Sequence, residues 1–348
     1  MLTVLEDQAA KAHAELSPEV LEYYSAGAGG EVTRDEAAQA WTRFRVRPWP
    51  LRDVSSVDTS VTLFGDRFAT PIAVAPSAFH RLAHPDGERA SIAGAERAAS
   101  LFVLSTRASL RIADIGTATT APWWFQVYVM RDREATTKIV ADAVTAGARA
   151  LVLTGDTPFV GAERRVRGVR IPMPDDEYLV NIRHHPSPRV DGQWAAAQDP
   201  SIGLETIGWL KQISGLPVLV KGVLRGDAAV ACLDAGADGI IVSNHGGRQL
   251  DRAVPSALAL EEVVAAVNGR APVLVDGGLQ SGLDVLIALA LGAAAVFVGR
   301  PVLWALAPDG ADGVTAALDA LTADLRHVLA LAGVTKLSEL DNDLVVRV

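Results

Sequence analysis

Ile240-Ile241-Val242-Ser243-Asn244-His245-Gly246-Gly247-Arg248-Gln249-Leu250-Asp251 decides how this 348-residue chain is read. A β-branched apolar run opens into a glycine-rich turn, so a buried strand ends where a histidine and, three residues on, an arginine emerge together. Parallel barrels present their chemistry at strand ends of this kind. An imidazole exchanges a proton near neutral pH, and a guanidinium grips a carboxylate through two parallel hydrogen bonds. The pair therefore points to proton abstraction from an acidic substrate. Taken as His-x-x-Arg alone, it fits a loop-capping histidine beside a surface arginine at least as well.

The same pattern repeats outward along the chain. Apolar runs at Pro71–Ala75, Leu101–Leu104, Trp123–Val129, Ala150–Leu153, Pro217–Val220, Gly239–Val242, Pro272–Val275 and Ala295–Val298 alternate with alanine-rich stretches of helical period. Runs without polar alternation suit strands buried on both faces, and strands alternating with helices pair in parallel. Eight such units predict an α/β chain folded as a (β/α)8 TIM barrel, one domain over 1–348. A doubly wound sheet competes, but the first strand lacks a Gly-x-Gly-x-x-Gly phosphate turn.

Residues 1–65 read as a helical N-terminal extension. Ser17 and Pro18 start a helix that Gly27, Gly29 and Gly30 end, and a second helix is expected over Thr33–Phe44. A closing helix is expected near Gly313–Leu331. The polar segment 159–214, with Pro172, Pro174, His184, His185, Pro186 and Pro188, is long for a connection and reads as a mobile lid. Its two histidines lack carboxylate or cysteine partners at ligand spacing, so no metal is expected.

A net charge of -9 excludes an extended phosphate-binding groove, and the longest basic cluster, Arg164-Arg165-Val166-Arg167 with Arg170, falls in that same segment. No nucleic-acid partner is expected. Cys232 is the lone cysteine, so no disulfide is expected. The chain shows no basic-then-apolar leader, no run of ~18 apolar residues, and a Val-Arg-Val end unlike a Ser-Lys-Leu address. A cytoplasmic protein without a membrane partner is the expectation.

Ser243 to Asp251 resembles, residue for residue, the active-site signature of the FMN-dependent α-hydroxy-acid oxidase and dehydrogenase family. The resemblance recurs in order along nearly the whole chain. It implies a flavoprotein with FMN as cofactor, a small 2-hydroxy acid as substrate, and a homo-oligomer such as a tetramer. Within it, His245 is the base and Arg248 a ligand of the substrate carboxylate. Tyr23-Tyr24-Ser25-Ala26-Gly27-Ala28 is similar to the family's Tyr-Tyr-x-Ser-Gly-Ala, with one exchange of order, which makes Tyr23 a second carboxylate ligand. By themselves the tyrosines equally suit packing onto the barrel.

The strand ends carry the rest of the resemblance. Ala75-Pro76-Ser77-Ala78, similar to Ala-Pro-Thr-Ala, implies that Pro76, Ser77 and Ala78 lie along the flavin edge. Ala83-His84-Pro85-Asp86-Gly87-Glu88 beyond it is close to Ala-His-Pro-Glu-Gly-Glu. Ser105 and Thr106 stand where the family places hydroxyls near the flavin, and Arg107 follows where relatives often carry an aromatic or small residue. Phe125-Gln126-Val127-Tyr128 matches Phe-Gln-Leu-Tyr, which implies Gln126 on the flavin ring and Tyr128 on the substrate hydroxyl.

Leu153-Thr154-Gly155-Asp156-Thr157-Pro158 is near Leu-Thr-Val-Asp-Thr-Pro, which implies Thr154 on the flavin and Asp156 beside His245. A carboxylate there would orient the imidazole and stabilise its protonated form. By itself Asp156 reads as a cap or turn residue. Lys221 ends an apolar run, where burial is costly unless it meets an anion, though a snorkelling lysine at the rim is the alternative. The resemblance sets Lys221 against N1 and O2 of the flavin and counts Ser243 among the cofactor ligands. Asp276-Gly277-Gly278 and Gly299-Arg300 end the last two strands, where barrels hold phosphate, and the resemblance assigns them to the FMN phosphate.

Two positions depart from the family. Glu163 stands where the family has a second carboxylate-binding arginine, so a carboxylate would face a carboxylate. Either Arg164 or Arg165 fills that place, or the substrate is not a plain small hydroxy acid. Gln280 replaces a phosphate-binding arginine after the Asp-Gly-Gly turn. The expected reaction is oxidation of a 2-hydroxy acid to the 2-oxo product by FMN, with the α-carbon or the hydroxyl proton going to His245. The alternatives are an FMN-dependent monooxygenase or oxidative decarboxylase of a specialised metabolite, and a catalytically silent FMN-binding protein.

Overall fold

The computed structural model describes residues 2–161, 172–174, 180–182 and 198–348. Three short strands come before the barrel: β1 (Phe44–Val46), β2 (Val61–Leu63) and β3 (Asp66–Phe68). Phe64 and Gly65, both at positive φ (49° and 89°), turn β2 tightly back onto β3.

Eight parallel strands then close a ring: β4 (Ile72–Val74), β5 (Phe102–Ser105), β6 (Trp123–Val127), β7 (Leu151–Thr154), β8 (Val218–Val223), β9 (Gly239–Val242), β10 (Val273–Asp276) and β11 (Ala295–Val298). Each pairs with its neighbours in chain order, and β11 returns to β4. The sequence lacks polar alternation because both faces are dry. Ala73, Val103, Trp124, Val152, Leu219, Ile241, Leu274 and Phe297 point into the barrel, while Ile72, Leu104, Phe125, Leu153, Val220, Val242, Val275 and Val298 pack under the helices. Leu63 and Phe68 of the hairpin join the interior cluster and plug it from the strands' N-terminal end.

Three helices precede the ring, α1 (Leu2–Glu15), α2 (Pro18–Ser25) and α3 (Val32–Trp41). One helix follows each barrel strand: α4 (Gly87–Arg97), α5 (Ile112–Gly116), α6 (Arg133–Thr145), α7 (Glu205–Ser214), α8 (Gly226–Asp234), α9 (Ser256–Val267), α10 (Gly282–Ala290) and α11 (Arg300–Ala332). The TIM barrel expected from the eight apolar runs is the fold. A last strand, β12 (Val345–Arg347), pairs antiparallel with β1.

Several expected boundaries move. Ser17 caps α2 as read, its Oγ accepting from Val20, but α3 stops at Trp41 because Phe44 is drawn into β1. The 1–65 extension is therefore helical only in its first two thirds. The long connection also ends earlier than residue 214, since Ile207 and Leu210 bury one face of α7 against the barrel wall. The closing helix begins at Arg300 and is broken at Gly310 (φ 55°). Much of the expected lid, with His184 and His185, lies outside the described residues.

The N-terminal segment matters for function because it covers the mouth of the barrel. The Ala28 N–H donates to the Gly247 carbonyl at 2.8 Å, and Asp251 accepts from the Gly30 N–H at 2.6 Å and from that of Thr33 at 3.2 Å. The turn after β9 thus holds α2 and α3 in place.

Candidate active site

Asn244 sets the turn that carries the histidine. Its Oδ1 accepts from the Gly247 N–H at 3.2 Å, and its Nδ2 donates to the Val254 carbonyl at 3.3 Å. His245, Gly246 and Gly247 have successive φ values of 60°, 66° and 74°. A left-handed histidine is uncommon and marks stored strain. A Cβ on Gly247 would lie 2.5 Å from the Arg34 backbone nitrogen, so the turn admits only glycine there.

The turn aims the imidazole between two partners from other strands. Nδ1 of His245 is 3.0 Å from Oδ1 of Asp156, and Nε2 is 3.4 Å from the Tyr128 hydroxyl. With the ring proton on Nδ1 facing the carboxylate, Nε2 is the free acceptor. Burial pushes the Asp156 carboxyl up, but the charge and hydrogen bond of His245, with Lys221 nearby, outweigh it and hold the group below the usual carboxylate range. Burial pushes the Tyr128 phenol up despite the adjacent Arg107 charge, so it stays a neutral hydroxyl.

Lys221 is buried at the end of β8, and an anion meets it as its cost of burial requires. Its Nζ lies 2.7 Å from Oδ2 of Asp276 and donates to Oγ of Ser243 at 2.7 Å. Burial alone would lower its pKa; Asp276 and then Asp156 reverse that and raise it above the usual lysine value. Asp276, expected in the phosphate turn, forms the lysine's ion pair through Oδ2. On the far wall, Gln126 accepts from Ser105 at 3.2 Å and donates to Thr154 at 2.9 Å, all three buried.

Two arginines join the mouth to α2. Arg248 donates through Nη1 to the carbonyls of Tyr23 (2.8 Å) and Ala26 (2.9 Å), and its guanidinium lies 5.3 Å from the Tyr23 ring centroid. Arg300 donates to the carbonyls of Tyr24 (3.1 Å) and Gly246 (2.8 Å). Pro76, Ser77 and Ala78 are partly buried after β4, and a Cβ on Gly299 would meet nothing nearer than Ala75 at 3.8 Å and Ser77 at 3.9 Å. Gly277 and Gly278, at φ 99° and 77°, follow β10, where Trp41 donates to the Gly277 carbonyl at 2.9 Å.

The sequence pointed to Thr106 only as a hydroxyl near the flavin and gave Asn244 no role of its own. An asparagine before His-Gly-Gly is a cap signal that was available. Thr106 donates to the Gln126 carbonyl at 2.6 Å and accepts from the Tyr128 N–H at 3.1 Å, a bridging role with no pattern of its own. Glu163, Arg164 and Arg165 lie outside the described residues. Among the described residues no helix is long and apolar enough to cross a membrane, and no cluster of His, Cys, Asp and Glu could hold a metal.

A family model described as FMN-dependent dehydrogenase matches residues 12–347. The chain belongs to that family. It is an FMN-dependent oxidoreductase acting on a CH–OH group. The chain is 40% identical over 348 residues to an L-lactate oxidase from a Nostoc species, covering 96% of this chain and 95% of the relative. A 2-hydroxyacid oxidase 2 from Rattus norvegicus is 39% identical, with 99% and 98% covered. A solved mandelate oxidase structure with (S)-4-hydroxymandelic acid superposes with a TM-score of 0.90 at 38% identity, covering 96% of each chain.

The residues at the mouth fit FMN by their own chemistry. Oδ1 of Asp276 is buried without a hydrogen-bond partner among the described residues, which suits a ligand bearing hydroxyl donors. Beside it a buried ammonium suits an electron-poor ring that gains negative charge. The Gln126, Ser105 and Thr154 set offers both donors and acceptors to a heterocycle edge.

Proposed function

We propose that the chain oxidises a 2-hydroxy acid to the 2-oxo acid, with His245 as the base. The observation that carries this reading is the imidazole held between Asp156 and Tyr128 by a strained turn. Asp156 keeps the proton on Nδ1, so Nε2 accepts the proton given up by the CH–OH group, and the carboxylate then faces an imidazolium. Tyr128 orients the substrate hydroxyl, and Arg248 with Tyr23 binds the carboxylate end.

Bound FMN supplies the two-electron acceptor. Lys221, Ser243, Gln126, Thr154 and Ser105 would hold its ring, with Pro76, Ser77 and Ala78 along the edge. Asp276, Gly277, Gly278, Gly299 and Arg300 would hold the ribityl phosphate arm, where backbone N–H groups and a guanidinium suit an anion. Lys221 favours the ring's negative charge because its own charge is fixed by Asp276 and does not depend on solvent.

The relatives named above are oxidases, which supports this reading over a monooxygenase or decarboxylase. The charged groups converging on one mouth speak against a silent binding protein. The proposal extends to a cytoplasmic homo-oligomer, supported by a lone cysteine and by Trp49 and Leu51, both strongly exposed. Light scattering on the purified holoenzyme tests the assembly. The reaction is tested by anaerobic incubation with lactate and mandelate, followed by mass analysis: the 2-oxo acids support it, and unchanged substrates count against it.

A further inference from the structure

Trp41 ends α3 and is fully buried. Its indole N–H donates to the Gly277 carbonyl at 2.9 Å, between positions 236 residues apart in the chain. Ala37, one helical turn earlier on the same face, meets the next residue of that turn: a Cβ on Gly278 would lie 2.1 Å from the Ala37 carbonyl oxygen. α3 therefore grips the turn after β10 through one hydrogen bond and one close backbone contact.

The direction of that hydrogen bond decides what the turn offers a ligand. The Gly277–Gly278 peptide is trans, so its C=O and N–H point opposite ways. With the carbonyl held against α3, the Gly278 N–H faces away from the helix. Among the described residues that N–H has no hydrogen-bond partner. Two glycines at positive φ (99° and 77°) let the peptide between them turn over cheaply, and a turned peptide would aim a carbonyl where an anion binds. We infer that Trp41 is a positioning residue for the FMN phosphate: its indole locks the Gly277–Gly278 peptide so that the N–H, and not the C=O, meets the anion. This rests on the assignment of that turn to the phosphate arm proposed above.

The test reads the ratio of the Kd for riboflavin, which lacks the phosphate, to the Kd for FMN. Holoenzyme, wild type or Trp41→Phe, is equilibrated with FMN and increasing riboflavin, and the protein-bound flavins are separated and quantified. Wild type favours FMN. Trp41→Phe keeps an aromatic ring in the core and removes the donor, and it lowers the ratio on the order of tenfold, the size of one ordinary hydrogen bond. An indole that only filled space would weaken both flavins alike and leave the ratio unmoved.

A folded Trp41→Phe with the wild-type ratio overturns the inference while the phosphate assignment stands. Wild type binding riboflavin as tightly as FMN removes that assignment and this inference with it. If Trp41→Phe does not fold or holds no flavin, a crystal structure of the wild-type holoenzyme carries the test. The Gly278 N–H donating to a phosphate oxygen, with Trp41 still on the Gly277 carbonyl, supports the inference; a phosphate out of reach of that N–H overturns it.

Discussion

Asp156 and His245 stand 3.0 Å apart, carboxylate oxygen to Nδ1, although 89 residues separate them and they follow strands that are not neighbours in the barrel. β8 runs between β7 and β9 and contributes Lys221, so base, orienting carboxylate and buried cation come from three consecutive strand ends.

Replacing Asp156 with Asn keeps the shape and removes the charge that stabilises the imidazolium. It is expected to lower kcat by about 10²–10⁴-fold with FMN still bound. Steady-state oxidation with flavin content measured in parallel checks this; an unchanged kcat contradicts the pairing.

Lys221→Met leaves Asp276 buried without its cation. The expected loss is about 3–5 kcal/mol of stability, together with weaker FMN retention. Neutralising the partner as well, in Lys221→Met/Asp276→Asn, should recover part of the stability and none of the retention. Thermal unfolding and flavin absorbance of the purified variants read both.

The pH limits follow from the two shifts. Asp156 is depressed, so its stabilising contribution is present above the ordinary carboxylate value of about 3.9 and is lost as pH falls through the lower folded value. Lys221 is raised, so its contribution is complete below about 10.4 and is lost only as pH rises through the higher folded value. Denaturant unfolding across pH should show an alkaline loss that is absent from Lys221→Met.

Gly247→Ala places a Cβ against Arg34 at a left-handed position. A cost of about 2 kcal/mol or more is expected, with kcat falling because the same turn aims His245. Denaturant midpoints and kcat measured on one preparation test the coupling.

The barrel was legible because the strands are apolar on both faces until their C-terminal ends, and periodicity reports burial directly. The His245–Arg248 stretch was legible because its glycines are demanded by backbone geometry. The ion pair of Asp276 with Lys221 was not legible, because Lys221 lies on β8 and the pairing is set by closure of the ring. β12 and the β2–β3 hairpin were missed because strands of three residues carry too few positions for a period to register. α7 was hidden by the Pro- and His-rich stretch before it and by Gly208 within it.

The most direct measurement is the anaerobic rate at which a 2-hydroxy acid bleaches the bound flavin, in wild type and in His245→Ala. Rapid bleaching by the wild type, and a rate at least about 10²-fold lower in the variant at equal FMN occupancy, is the predicted result. Bleaching at the wild-type rate without His245 would contradict the assignment of the base.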